Sequence, residues 1–184
     1  AVSGAWWHTN TCTDGTPNGY AIFTVKDNSV DDFVYKPVDL DESYQMRVYN
    51  GSQKYTGSKK LTFGWPEEYH GCFIADVFND DAENWKVEFI QNGVATPMTR
   101  VTKKLRDWCM FSYFINENGR SPKNTAYHTG KLHYWTLPAP SGNPAKEKDW
   151  EIRATYTVPT SGKVNVYTVN TLQTDFTGFP ATLA

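Results

Sequence analysis

The chain has 184 residues, of which 39% are apolar and 21% charged, and its net charge is −2. That length suits one domain able to bury about two-thirds of the surface its unfolded chain exposes, and the mixed charge offers no basic footprint for nucleic acid or for an anionic membrane. No apolar run is long enough for a membrane-spanning helix, and an aromatic share of 15% makes flat rings the main building material of the interior.

The opening Ala1-Val2-Ser3-Gly4 lacks the basic and apolar regions of a signal peptide, so the chain is expected to be a processed product or a fragment of something longer. After Ala5-Trp6-Trp7-His8 and Cys12 comes Asp14-Gly15-Thr16-Pro17-Asn18-Gly19-Tyr20. Glycine admits positive φ, proline fixes φ, and Asp or Asn bonds the following backbone, which together predict a compact turn system. The tryptophans before it and the strand-like Tyr20-Ala21-Ile22-Phe23-Thr24-Val25 after it are two apolar walls on which that turn can be pinned.

Farther along, Tyr44-Gln45-Met46-Arg47-Val48 alternates apolar and polar residues, as a strand with one wet face would. Trp65-Pro66-Glu67-Glu68-Tyr69-His70 is proline-broken and charged, and an exposed aromatic is expected there. Gly71 to Phe78 is a near-continuous apolar run, the pattern of a central strand covered on both faces, with Cys72 as a small inert core residue. Asn79-Asp80-Asp81-Ala82-Glu83-Asn84 is an acidic loop, either a calcium ligand set or an Asp-capped turn. Trp85-Lys86-Val87-Glu88-Phe89 alternates cleanly, and Asn92-Gly93 predicts a type I′ hairpin because both central residues need positive φ. A short helix is expected over Thr102–Cys109, loops over 116–125 and 138–148, and a further alternating strand over Trp150–Tyr156.

Short strands at regular spacing with turn signals between them argue for an all-β protein. The expected fold is an immunoglobulin-like antiparallel β-sandwich with long loops and at most one short helix, formed by residues 1–184 as a single domain.

The chemistry-bearing residues are sparse. His8, His70, His128 and His133 make no i, i+2 or i, i+4 pair that would aim two imidazoles at one metal ion. Cys12, Cys72 and Cys109 are an odd count with no C-x-x-C spacing, so at most one bridge forms within the chain. Cys109 stands beside Arg106 and Asp107 but between Trp108 and Met110, which favours a half-buried inert thiol, and no G-x-S-x-G elbow occurs. Trp7, Trp65, Trp108 and Trp135 have two readings: a platform that stacks on sugar faces, or the filling of a leucine-poor core.

Gly4-Ala5-Trp6-Trp7, the Cys12 to Tyr20 loop, Tyr35-Lys36, Tyr44-Gln45-Met46-Arg47-Val48-Tyr49, and Trp85 to Phe89 with Met98-Thr99-Arg100 resemble, in this order, the C-terminal domain of secreted bacterial calcineurin-like phosphoesterases. The resemblance spans nearly the whole chain. It implies a β-rich, non-catalytic accessory domain carried behind a metallophosphoesterase domain that is its partner, on a parent that is secreted, periplasmic or on the cell surface. It also implies two metal ions in the parent's catalytic domain and none here. That chemistry needs Asp-x-His, Gly-Asp-x-x-Asp, Gly-Asn-His-Glu/Asp and Gly-His-x-His, and none of the four occurs in this chain. Two rival functions stay in view, a glycan- or polymer-binding sandwich and a small independent hydrolase. The candidate interface or ligand residues are Trp7, Asp14, Asn18, Tyr20, Trp65, Tyr69, His70 and Trp108.

Overall fold

The computed structural model describes residues 15–117 and 133–176. Its strands are β1 (Gly19–Lys26), β2 (Ser29–Pro37), β3 (Met46–Asn50), β4 (Lys54–Thr56), β5 (Thr62–Gly64), β6 (Cys72–Val77), β7 (Trp85–Gln91), β8 (Val94–Pro97), β9 (Thr99–Arg100), β10 (Tyr134–Pro138), β11 (Trp150–Thr157) and β12 (Val164–Val169). Among the described residues one α-helix, α1 (Trp108–Asn116), lies between β9 and β10. Every strand pair is antiparallel. Two four-stranded sheets, ordered β3-β6-β10-β9 and β12-β11-β7-β8, are accompanied by the two-stranded β1-β2 and β4-β5. The all-β expectation holds.

The sandwich follows from the alternation. Trp85, Val87 and Phe89 on β7 and Trp150, Ile152, Ala154 and Tyr156 on β11 point inward, against Met46 and Val48 of β3 and Phe73, Ala75 and Val77 of β6. The rings of Phe73 and Trp150 meet with centroids 4.8 Å apart, and those of Phe73 and Phe89 at 5.0 Å. On the outer face of this sheet Glu88 lies between Lys86 and Arg153, at 2.7 and 3.1 Å.

The sheet containing β3 and β6 is covered on its other face as well. Tyr49, Ile74 and Tyr134 pack there against Met110, Phe114 and the rest of α1, with Tyr55 and Trp65 closing the layer. Residues 73–77 therefore form the doubly covered strand that their apolar run predicts, while Cys72 at its start is half-buried and not the core residue expected, because the covering layers end there. The expectation of one wet face fails for Tyr44–Val48: all five residues of β3 are buried, Arg47 included. A layer on each side of the sheet demands this. The alternation of residue types survives, but its polar members face a buried cluster instead of water.

The short helix lies at Trp108–Asn116, not over Thr102–Cys109. Asp107 sets its start, accepting a hydrogen bond from the Met110 N–H at 2.8 Å as an N-cap. Cys109 to Asn116 are all buried, and the polar residues Ser112 and Asn116, one turn apart on one face, bond each other inside the protein, so no solvent-facing stripe marks the helix. Asn92 and Gly93 have φ of 53° and 76° and join Gln91 to Val94, the type I′ hairpin expected. Asp27 and Asn28, at 50° and 62°, form a second one between β1 and β2.

Candidate functional site

The turn that opens the described chain is fixed on a buried polar cluster. Gly15 has φ of +94°, and a Cβ built on it would fall inside the van der Waals envelope of Asp107 Oδ2 and 2.8 Å from Asp76 Oδ2. Only glycine lets the backbone approach two carboxylates so closely. Arg47 Nη1 donates to the Gly15 carbonyl, the Tyr35 hydroxyl donates to Pro17 O at 2.5 Å, and Val38 N–H donates to Asn18 O at 2.7 Å.

Local structure explains why these groups meet. Arg47 and Tyr49 are two apart on β3 and so share a face, Asp76 is the cross-strand partner of Arg47, and Asp107 arrives from above as the cap of α1. Tyr49 Oη donates to Asp107 Oδ2 at 2.6 Å. Arg47 Nε donates to Tyr44 Oη at 2.9 Å, and its guanidinium lies over the Phe78 ring, 5.2 Å from the centroid. His133 Nδ1 lies 2.7 Å from Asp76 Oδ1. Gln45 donates to the carbonyls of Tyr35 and Glu42, tying β2 to the same corner.

The electrostatics suit a lock. Burial, then the charge of Asp76, push the Asp107 carboxyl up to about 7, against the opposing pull of Arg47. Burial and the neighbouring Asp107 hold the Tyr49 hydroxyl well above its usual range, so it stays a donor. Burial works against the charge of Arg47, but Tyr49, Tyr44, Asp107 and Asp76 together keep it firmly protonated. One guanidinium thus faces two carboxylates, and the second carboxylate keeps its proton longer than an exposed aspartate does.

This gives a pH dependence with a definite sign. Between the unfolded aspartate value of about 3.9 and the raised folded value of Asp107, the folded state binds more protons than the unfolded state. Stability through this group is therefore fully present at the acid end of the window and declines as pH rises toward about 7. Asp107→Asn keeps an oxygen for the Met110 N–H and is expected to flatten that decline. Urea unfolding at pH 5 and pH 7 measures it, and an unchanged slope in the variant would assign the proton elsewhere.

The sequence-predicted residues are scattered. Trp7 and Asp14 lie outside the described residues, as do Cys12, His8 and His128. Asn18 sits at the foot of β1, and Tyr20 beside it is 46% exposed. Trp65 is 3% exposed, wedged between Tyr49 and Tyr134 with centroids at 5.1 and 6.0 Å, which corrects the expectation of an exposed ring in that segment. Its neighbour Tyr69 is half-buried against the same cluster. His70 is exposed, its Nε2 3.3 Å from the Trp65 carbonyl. Trp108 stacks on Phe63 at 6.4 Å beneath the Arg106 guanidinium. Trp135 is buried too, so these rings make no open sugar platform among the described residues.

The acidic loop is a capped turn: Asp81 Oδ1 accepts from the N–H groups of Glu83 and Asn84, and Asp80 is taken by Arg100 at 2.7 Å. Among the described residues no three of His, Cys, Asp and Glu are placed to hold a metal ion. Cys72 and Cys109 are free thiols, and burial raises both pKa values, so neither is primed as a nucleophile. None of Arg47, Tyr49, Asp76 and Asp107 is among the candidate site residues of the sequence, although Arg47 and Tyr49 lie in the marker strand. A charge placed in mid-strand, Arg47 within Met46-Arg47-Val48, is the signal that marks one of them.

The second feature is the β1-β2 hairpin itself. Phe33 and Tyr35 turn toward the sandwich, with Phe33 against Tyr156 at 5.8 Å, and a cleft of about 350 Å³ lined by Phe23, Val30 and Tyr156 lies beneath. Thr160 and Ser161 donate to the carbonyls of Val30 and Asp31, and Lys163 pairs with Asp32. Its other face carries exposed apolar side chains. A sequence family described as the C terminal of calcineurin-like phosphoesterase matches residues 1–159. Comparison with curated proteins and with solved structures gives no match.

Proposed function

The chain belongs to the family of C-terminal domains of calcineurin-like phosphoesterases, and on that premise we propose that it is a non-catalytic accessory domain that docks on the catalytic domain of its parent chain and shapes access to the catalytic centre. The observation that carries the reading is the destination of the family's marker residues. The described part of the marker loop, residues 15–20, with Tyr35 and Tyr44 to Tyr49, converges on a lock in which Tyr49 is bound to Asp107 and Arg47 to the Gly15 backbone. With its hydroxyl, guanidinium and carboxylate groups engaged in holding the turn, this cluster serves to position backbone, and neither a primed nucleophile nor a metal ligand set accompanies it among the described residues.

The two metal ions of this enzyme class find no ligand set among the described residues, and they belong to the parent's catalytic domain in this reading. The secreted, periplasmic or cell-surface setting rests on the family resemblance. Comparison of the parent enzyme with a version lacking this domain tests the proposal. Expected are a shifted KM for bulky phosphoesters or a lower melting temperature of the catalytic domain, and no turnover by the isolated chain with manganese or zinc supplied. Unchanged kcat, KM and melting temperature on removal, or phosphoesterase activity of the isolated chain, would overturn it.

A further inference from the structure

The β1-β2 hairpin has two chemically different faces, and the register separates them. Cross-strand pairs Phe23↔Phe33 and Ala21↔Tyr35 alternate with Tyr20↔Lys36 and Ile22↔Val34. The first set holds the ring that packs on the sandwich and the buried Tyr35. The second set, extended by Val38 beside Asn18, faces away from it by strand alternation. Tyr20, Ile22 and Val38 are 46%, 40% and 51% exposed. The charge in their midst is withdrawn, since Lys36 Nζ is folded back onto the carbonyls of Pro37 and Leu40. Phe23, also exposed, belongs to the opposite face with Phe33, so the outer face itself carries Tyr20, Ile22 and Val38, three of the nine large exposed hydrophobics among the described residues, grouped as an interaction surface would be.

The chain path names the occupant. Residue 15 is locked to the core, and from there the backbone runs through Pro17 and Asn18 directly into the foot of the hairpin beside Val38. In a C-terminal domain the catalytic domain is joined upstream, and the fourteen residues before Gly15, which span at most about 50 Å, attach it to a lock that lies beside this apolar face. We propose that the outer face of β1-β2, with Tyr20, Ile22, Val34 and Val38 as its apolar contacts, is the seat of the parent's own catalytic domain. The inference rests on the docking reading above and specifies where the docking occurs.

Hydroxyl-radical footprinting of the full parent chain and of residues 1–184 alone tests it, together with small-angle scattering of the parent. Oxidation of Tyr20 and Ile22 is expected to fall about tenfold in the parent relative to the isolated chain, as for side chains moved from solvent to an interface core, while Val94 on the far edge strand is unaffected. Ile22→Lys, a change at an exposed position, is expected to restore oxidation of Tyr20 and to extend the scattering profile. A compact parent in which Tyr20 and Ile22 react as they do in isolation, with protection on another face, overturns the surface and leaves docking intact. A parent whose two domains tumble independently overturns docking and the surface together. Protection of Tyr20 in the isolated chain that disappears on dilution assigns the face to a second copy of this chain and also overturns the proposal.

Discussion

Replacing Arg47 by methionine is expected to cost about 3–5 kcal/mol of folding stability, the range found when one member of a buried ionic cluster is removed. Methionine matches most of the volume, so the loss measures charge and hydrogen bonding more than packing. Two carboxylates, Asp76 and Asp107, would then stay fully buried with no cation between them, and the Gly15 carbonyl and the Tyr44 hydroxyl would each lose a donor. Because burial and Asp76 already raise the Asp107 pKa, acidification neutralises part of what the variant leaves uncompensated. The deficit is therefore expected to be smaller at pH 5 than at pH 7. Lysine at this position is expected to restore only part of the loss, since one ammonium group does not reproduce a fork that spans Gly15 O and Tyr44 Oη. Urea titration of the three proteins at both pH values decides the matter. A loss below about 1 kcal/mol, the level of an exposed ion pair, would show that Arg47 is not the keystone of the cluster.

The same residue explains how far the sequence could be read. Period-two alternation located β7 and β11, and Asn92-Gly93 located a hairpin, because those signals are local: half-buried faces and positive φ are written in neighbouring residues. What could not be read was the third layer. From Tyr44-Gln45-Met46-Arg47-Val48 alone, a charged residue between two apolar ones means a wet face. Only the arrival of Asp107, sixty positions later in the chain, and of the 15–18 turn converts that face into a buried one. Helix α1 lies six residues beyond its expected start for a related reason. A helix enclosed on all sides has no solvent-facing stripe, since its polar pair Ser112 and Asn116 is bonded inside, and its cap, Asp107, reads as one more surface aspartate until Tyr49 is seen to donate to it. Trp65 departs from its expected exposure because adjacent glutamates and a proline describe the surface of its loop and say nothing of the ring, which turns inward onto Tyr49. The markers of the family, by contrast, were legible from the start, and the structure supplies their physical sense: the loop, Tyr35 and the Tyr-Gln-Met-Arg strand are the parts of one lock.

Gly15→Ala is expected to release that lock without unfolding the sandwich. Two costs add: about 1–2 kcal/mol for an L-residue at positive φ, and about 1–3 kcal/mol for forcing a methyl group against packed neighbours that cannot yield, here the Asp107 and Asp76 carboxylates. Together they rival the loss from Arg47, but they act on a turn outside the sandwich core that has another option. Once the strain exceeds the free energy of docking residues 15–18, the turn leaves its seat and the cost stops rising. The core between Phe73, Phe89 and Trp150 is untouched by this, so amide exchange is expected to accelerate locally, by about a hundredfold at Val38, whose N–H bonds Asn18 O, with little change at β6 or β11. Gly93→Ala is the matched control. Gly93 also has positive φ, at +76°, but nothing lies within 4 Å of a Cβ built there, so that variant bears the backbone strain alone. If the two substitutions cost the same and Val38 stays protected in both, the carboxylates do not gate the turn, and the tether that presents the hairpin face must be held by the Tyr35 and Val38 hydrogen bonds instead.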